Sequence, residues 1–321
     1  MDRYVPMWPW ADRMHPAPSI IAFTVSSGLG YGLAFFLGLG LLDPTSLATK
    51  LAHLVALGLI AAGLASSTLH LGNPQRAWRA LSQWRTSWLS REGVMAIATF
   101  LPLAAAAWLS LFGSRSVLAV GLAGSAMAAA TVYCTAMIYA SLRSVDAWHT
   151  HFTPVCYLLF AGAGGALLAA FFAAAAGHPP LWPGLAAMAL LMAAWTAKRR
   201  WRERMMAMAP TSTPESATGL GPIGKVRLLE RPHMTENYLT SEMGFRVARK
   251  HAEKLWRIAI VAGGVLPFLL VALALIAFRD GGAMAAFLAA LAVIAHVIGM
   301  LAERWLFFAE ARHAVMNYYG G

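Results

Sequence analysis

The chain has 321 residues, 59% of them hydrophobic and 12% charged, about half the charged share of an ordinary soluble domain, and it carries a formal net charge of +11. That composition excludes a string of soluble domains. It also speaks against nucleic acid as a partner, because the basic residues sit between apolar stretches and read as topogenic charge plus a docking face.

A span needs about 20 mostly apolar residues to cross some 30 Å of hydrocarbon, and eight stretches satisfy this. In chain order they are 18–42, 46–70, 93–113, 116–141, 154–176, 180–197, 257–278 and 283–303. The expected fold is therefore all-α, one membrane domain over 1–321 built as a bundle of eight transmembrane helices. No short apolar core precedes the first span, so a cleaved signal peptide is not expected. Gly28, Gly30 and Gly32, and again Gly162, Gly164 and Gly165, read as surfaces where helices approach closely. Cys134 and Cys156 read as small buried thiols, and no metal site is expected.

The connections fall into two sets. One comprises the N-terminal tail, 71–92, 142–153, 198–256 and the C-terminal tail. The other comprises 43–45, 114–115, 177–179 and 279–282. Of the 25 Lys and Arg residues, 22 belong to the first set, and only Lys50, Arg115 and Arg279 to the second. The positive-inside rule then places the crowded side in the cytoplasm, with both termini inside. The long segment 198–256 opens with Lys198, Arg199 and Arg200, which read as a snorkelling helix end. It continues through an irregular stretch at 210–224 and closes in a basic surface helix over 240–251. A segment of that length without its own core suits a peripheral partner.

The connection after the second span is the most unusual. His70 falls near the end of that span, and Gly72, Asn73 and Pro74 stop the helix. Trp78, Trp84 and Trp88 follow, interleaved with Arg76, Arg79, Arg85 and Arg91, as the membrane–water interface selects. Glu92 then stands at the mouth of the third span, where the helix dipole favours an acid. An imidazole can hydrogen-bond a quinone carbonyl, and a carboxylate can exchange the proton that accompanies each electron. His70 and Glu92 facing each other would supply both. A capping histidine and a Glu92–Arg91 pair would explain the same residues without function.

The run His70-Leu71-Gly72-Asn73-Pro74-Gln75-Arg76-Ala77, followed by Leu89-Ser90-Arg91-Glu92, resembles the DmsC family, the membrane anchors of dimethyl sulfoxide reductase-type molybdoenzymes. Weaker matches lie between Tyr139 and Pro154 and around Glu303 and Arg304. The resemblance implies a haem-free anchor that exchanges electrons between ubiquinone or menaquinone and an iron–sulfur subunit. Iron–sulfur clusters and molybdopterin would reside in the partner subunits, and membrane lipid would surround the anchor. It carries the quinone-site roles onto His70 and Glu92, with Arg76, Arg79, Trp78 and Arg304 lining the quinone pocket or docking the partner. The charge count places this face in the cytoplasm of a bacterial inner membrane. Within the family, that favours likeness to the membrane subunit of the sulfite-oxidising enzymes (SoeC) over a reductase anchor with outward-facing catalytic subunits.

Two other classes fit less well. A di-haem cytochrome b needs four axial ligands on facing spans, and the membrane histidines His53, His70 and His296 are too few and too scattered. A secondary transporter would show inverted repeats and buried mid-span charges. The sequence shows no convincing repeat, and its acids cluster at span ends.

Overall fold

The computed structural model describes residues 18–68, 74–208, 213–227, 246–311 and 314. Its helices are α1 (Pro18–Gly38), α2 (Leu47–Thr68), α3 (Trp88–Gly113), α4 (Leu118–Ala140), α5 (Phe152–Ala175), α6 (Leu181–Ala207), the short α7 (Pro214–Thr218), α8 (Arg246–Ile260), α9 (Leu266–Ala277) and α10 (Ala283–Ala309). A 3₁₀ helix, Pro74–Gln83, precedes α3, and a π-helical turn, Val261–Val265, joins α8 to α9. No strand occurs among the described residues.

Seven helical stretches are long and apolar enough to cross a membrane: α1 to α5, His251–Ala277 and α10. The expected eighth, 180–197, lies within α6. Pro183, Gly184 and the tryptophans Trp182 and Trp195 dilute its apolar character, and Lys198 to Arg204 extend the same helix. α6 nonetheless packs between α5 and α9 along the bundle.

α1 and α5 form the centre, and each is far more buried than the helices around them. Their contact is backbone on backbone: a Cβ on Gly32 would overlap the Ala161 carbonyl, and one on Gly165 would overlap Gly32. α1 also packs on α2 and α4, while α5 packs on α6 and α10. The glycine clusters are packing surfaces, as read from sequence. Cys134 and Cys156 are buried free thiols.

The four short connections gather at one end of the bundle. Lys50 Nζ donates to Ser114 Oγ at 2.9 Å, His178 Nε2 stands 3.4 Å from Asp43 Oδ2, and Gly282 N–H donates to the Ala174 carbonyl at 3.1 Å. Asp43 accepts from the Thr45 backbone and hydroxyl, which hold its carboxyl below the usual value. At the other end, Ser66 Oγ donates to the Ser19 carbonyl, and Trp201 Nε1–H donates to the Ala147 carbonyl.

Three expectations change. α3 begins at Trp88, one turn earlier than the span read from hydropathy, because Ser87 caps it by accepting from Ser90 N–H. Glu92 therefore stands inside the helix and is buried, not at its mouth. The long connection is largely helical at its edges: α6 runs to Ala207, and α8 leads unbroken through the π turn into α9. Part of its middle is ordered too, because Thr213 and Ser216 cap α7 reciprocally within the stretch read as irregular. Of the basic helix read over 240–251, residues 240–245 lie outside the described residues.

The π turn has a local cause. Pro267 has no N–H to give the Gly263 carbonyl four residues back, and its ring crowds that carbonyl. The helix opens there, and His296 Nδ1 lies 2.8 Å from the Gly263 oxygen. Gly263 in turn presses against Gly299 of α10, where a Cβ on either would collide.

Candidate functional site: Glu92 and the polar interior of the basic end

The 3₁₀ helix lies against the start of α3. Ser90 Oγ donates to the Ala80 carbonyl, and Leu81 packs where Gly93 has no side chain. This brings the Trp/Arg segment to the surface of the bundle. Trp78 is 67% exposed, and Arg76 and Arg79 are exposed beside it. The Arg79 guanidinium sits 5.5 Å from the Trp78 ring. Arg91 turns outward: its guanidinium stacks 4.3 Å over Trp88 and donates to the carbonyls of Trp84 and Arg85.

Arg91 is thus committed away from Glu92, and the simple pairing of these two neighbours does not occur. Glu92 accepts instead from the Thr135 hydroxyl of α4. No cation among the described residues lies within ion-pair distance of its carboxylate. Further along the same interface, the hydroxyls of Thr99 and Thr131 meet at 2.9 Å, so α3 and α4 share a hydroxyl-lined seam.

Thr135 also lines a cavity of about 20 Å³ between α1, α4, α5 and α10, together with Tyr31, Tyr157, His296 and Arg304. The cavity has room for a water and is far too small for a quinone ring. Arg304 is buried, stacked 3.8 Å over Tyr157 and 3.4 Å from Glu303 Oε2. Lys198 Nζ lies 2.6 Å from Glu303 Oε1 and 3.5 Å over the Trp201 ring. The Lys198–Glu303 approach is an ion pair by distance, although it misses the angles of a hydrogen bond. Tyr139, Trp148, Phe307 and Phe308 wall this cluster, Tyr139 meeting the other three edge to face while Trp148 stacks on Phe307. Nearer the surface, Arg202 lies 2.7 Å from Glu253 and 3.4 Å from Glu310. Burial pushes the Glu310 carboxyl above its usual range, against the pull of Arg202 and Lys198.

One reading from sequence is corrected by this cluster: Lys198 does not snorkel, because it is 2% exposed and turned inward. Glu92 and Glu303 are buried, yet they stand toward the ends of α3 and α10 and not mid-span. Of the six site residues read from sequence, Glu92 and Arg304 border the same polar interior, joined through Thr135. Arg76, Arg79 and Trp78 stand apart on the exposed 3₁₀ helix. His70 lies outside the described residues. Sequence reasoning missed Tyr31, Thr135, Tyr157 and the pairing of Lys198 with Glu303, none of which has a local signal. His296, one of the scattered membrane histidines, is held 2.8 Å from the Gly263 carbonyl through Nδ1. Among the described residues, no group of three or more His, Cys, Asp or Glu side chains could hold a metal ion.

Comparison with known proteins agrees with this architecture. A sequence profile of the DMSO reductase anchor subunit (DmsC) family matches residues 12–201. The chain is 32% identical over 328 aligned residues to a sulfite dehydrogenase subunit of Allochromatium vinosum, covering 95% of this chain and 99% of that protein. No solved structure matches the chain.

Proposed function

We propose a quinone-reactive role for this chain, which belongs to the DmsC family of DMSO reductase anchor subunits and is the membrane anchor of an oxidoreductase complex. Electrons pass between an iron–sulfur subunit docked on the basic end and a quinone held near His70 and Glu92. The clusters and molybdopterin belong to the partner subunits. The quinone supplies the two-electron chemistry, and this chain binds, orients and exchanges protons.

Glu92 carries the reading. It is a carboxyl 7% exposed, close to the membrane boundary, with a hydroxyl partner and, among the described residues, no cation within ion-pair distance to hold it ionised. Buried acids without a structural ion pair are candidates for proton exchange. The cavity beyond Thr135 has room for about one water, so the headgroup reaches Glu92 from the side of the 3₁₀ helix. Arg76, Arg79 and Trp78 then line the approach or dock the partner, while Arg304 acts from the interior and not as a direct contact.

The first part of α6 serves as the eighth span, because it packs between two spans and runs from the end that holds the short connections to Trp201 at the other. Eight crossings return both termini to one side, and the excess of Lys and Arg makes that side cytoplasmic in a bacterial inner membrane. A cytoplasmic docking face, together with likeness to a sulfite dehydrogenase subunit, favours electron delivery from sulfite oxidation into the quinone pool. A DMSO reductase anchor, with catalytic subunits outside, would need the opposite orientation.

The test uses the assembled complex. Glu92→Gln and His70→Leu should each abolish turnover coupled to a quinone while sparing turnover with an artificial dye acceptor. Full quinone-coupled rates in both variants would overturn the site.

A further inference from the structure

Among the described residues, four of the nine buried side-chain polar atoms that lack a hydrogen-bond partner belong to residues lining one cavity: the hydroxyls of Tyr31 and Tyr157, Nε2 of His296 and Nε of Arg304. Tyr31 stands near Thr131 without reaching hydrogen-bond geometry. An unpaired buried group costs about 1–3 kcal/mol, and protein interiors satisfy such groups with ordered water. The cavity measures about 20 Å³, and a water needs roughly 10–15 Å³. The four atoms also complement a water in type. Arg304 Nε–H can only donate. His296 Nδ1 gives its hydrogen to the Gly263 carbonyl, so Nε2 can only accept. The tyrosines do either.

Two of the lining residues lead to acids. Thr135 donates its hydroxyl to Glu92, and Arg304 stands beside Glu303. From there the acid side chains grow steadily more exposed, from 0% at Glu303 through 10% at Glu310 to 68% at Glu253. Arg202 holds the last two together.

We propose that the cavity is a water site, and that it passes protons between Glu92 and the basic face along Glu303, Glu310 and Glu253. The inference rests on the quinone role of Glu92. Reduction of a quinone to the quinol takes two electrons, which the iron–sulfur subunit supplies, and two protons. The Glu92 carboxyl gives one proton to a quinone oxygen, regains one through Thr135 and the cavity water, gives the second to the other oxygen and is refilled again. Two protons therefore enter the lane from solvent for each quinol, and no net charge remains on the path.

The test is high-resolution electron microscopy of the assembled complex without added quinone, paired with turnover in H₂O and D₂O. Density for a water is expected within hydrogen-bond distance of the Tyr157 hydroxyl, and Tyr157→Phe should remove it. Tyr157→Phe and Glu310→Gln should each slow quinone-coupled turnover at least about tenfold and enlarge the solvent isotope effect, with dye-acceptor turnover as the control for assembly. An empty cavity overturns the proposal, as do parent rates and an unchanged isotope effect in both variants. If Glu92→Gln and His70→Leu keep full rates, the quinone reading has failed instead, and the density still decides the water site.

Discussion

Lys198 Nζ lies 2.6 Å from Glu303 Oε1, and neither side chain is more than 3% exposed. With Arg304 beside them, two cations and one anion share a closed space. Breaking such a cluster by removing one charge is expensive, because the remaining ions stay buried.

The three charges do not contribute equally. Glu303→Gln leaves two like charges without a counter-ion and should lower stability by about 3–5 kcal/mol. Lys198→Met leaves the Glu303–Arg304 pair balanced and should lose much less. Heat-denaturation midpoints in detergent will rank the two, and the opposite order would refute this account of the cluster.

The α1–α5 contact admits no side chain at Gly32 or Gly165. Gly32→Ala or Gly165→Ala should cost about 1–3 kcal/mol through overpacking. Gly58 of α2 has open space around it, so Gly58→Ala should be neutral or stabilise by up to about 1 kcal/mol. Folded yield on size exclusion compares the three.

Thr135 positions Glu92 and stands between it and the cavity. Loss of a hydrogen bond to a carboxylate corresponds to about a tenfold to hundredfold effect. Thr135→Val should reduce kcat for quinone-coupled turnover by that factor, and Thr135→Ser should restore it. A change confined to KM, or no rescue by serine, would assign Thr135 a packing role alone.

Both native thiols are buried, so introduced cysteines report topology against a silent background. Ile223 is 83% exposed in the long connection, and Ser116 is exposed at the opposite end. In intact cells stripped of their outer layer, an impermeant thiol reagent should label Ser116→Cys and miss Ile223→Cys. Reversed labelling would place the docking face outside.

Seven of the eight expected span positions were legible in the sequence, because hydrocarbon demands uninterrupted apolar helix and few other folds leave that trace. The start of α3 was misplaced because Trp88 and Arg91 look like interface residues and the apolar run starts only after Glu92, whereas the helix begins at the Ser87 cap. Glu92 stood out through its unusual neighbourhood. Its partner Thr135 did not, since one hydroxyl in an apolar helix resembles any other. Lys198 was legible only as a charge at the end of an apolar run, for which snorkelling is the usual fate. Its inward turn depends on Glu303, carried by a distant helix, and on the Trp201 face, so only tertiary packing reveals it.

The opened turn at Gly263 has a consequence for ancestry. A carbonyl deprived of its donor by Pro267 cannot stand bare in hydrocarbon, and the ring of His296 is what answers it. Neither residue is easily changed first. A lineage that lost the proline would regain a regular helix and leave the histidine without its acceptor, while one that lost the histidine would strand the carbonyl. Across related anchors, the two positions should be kept or replaced together, as a linked pair of characters.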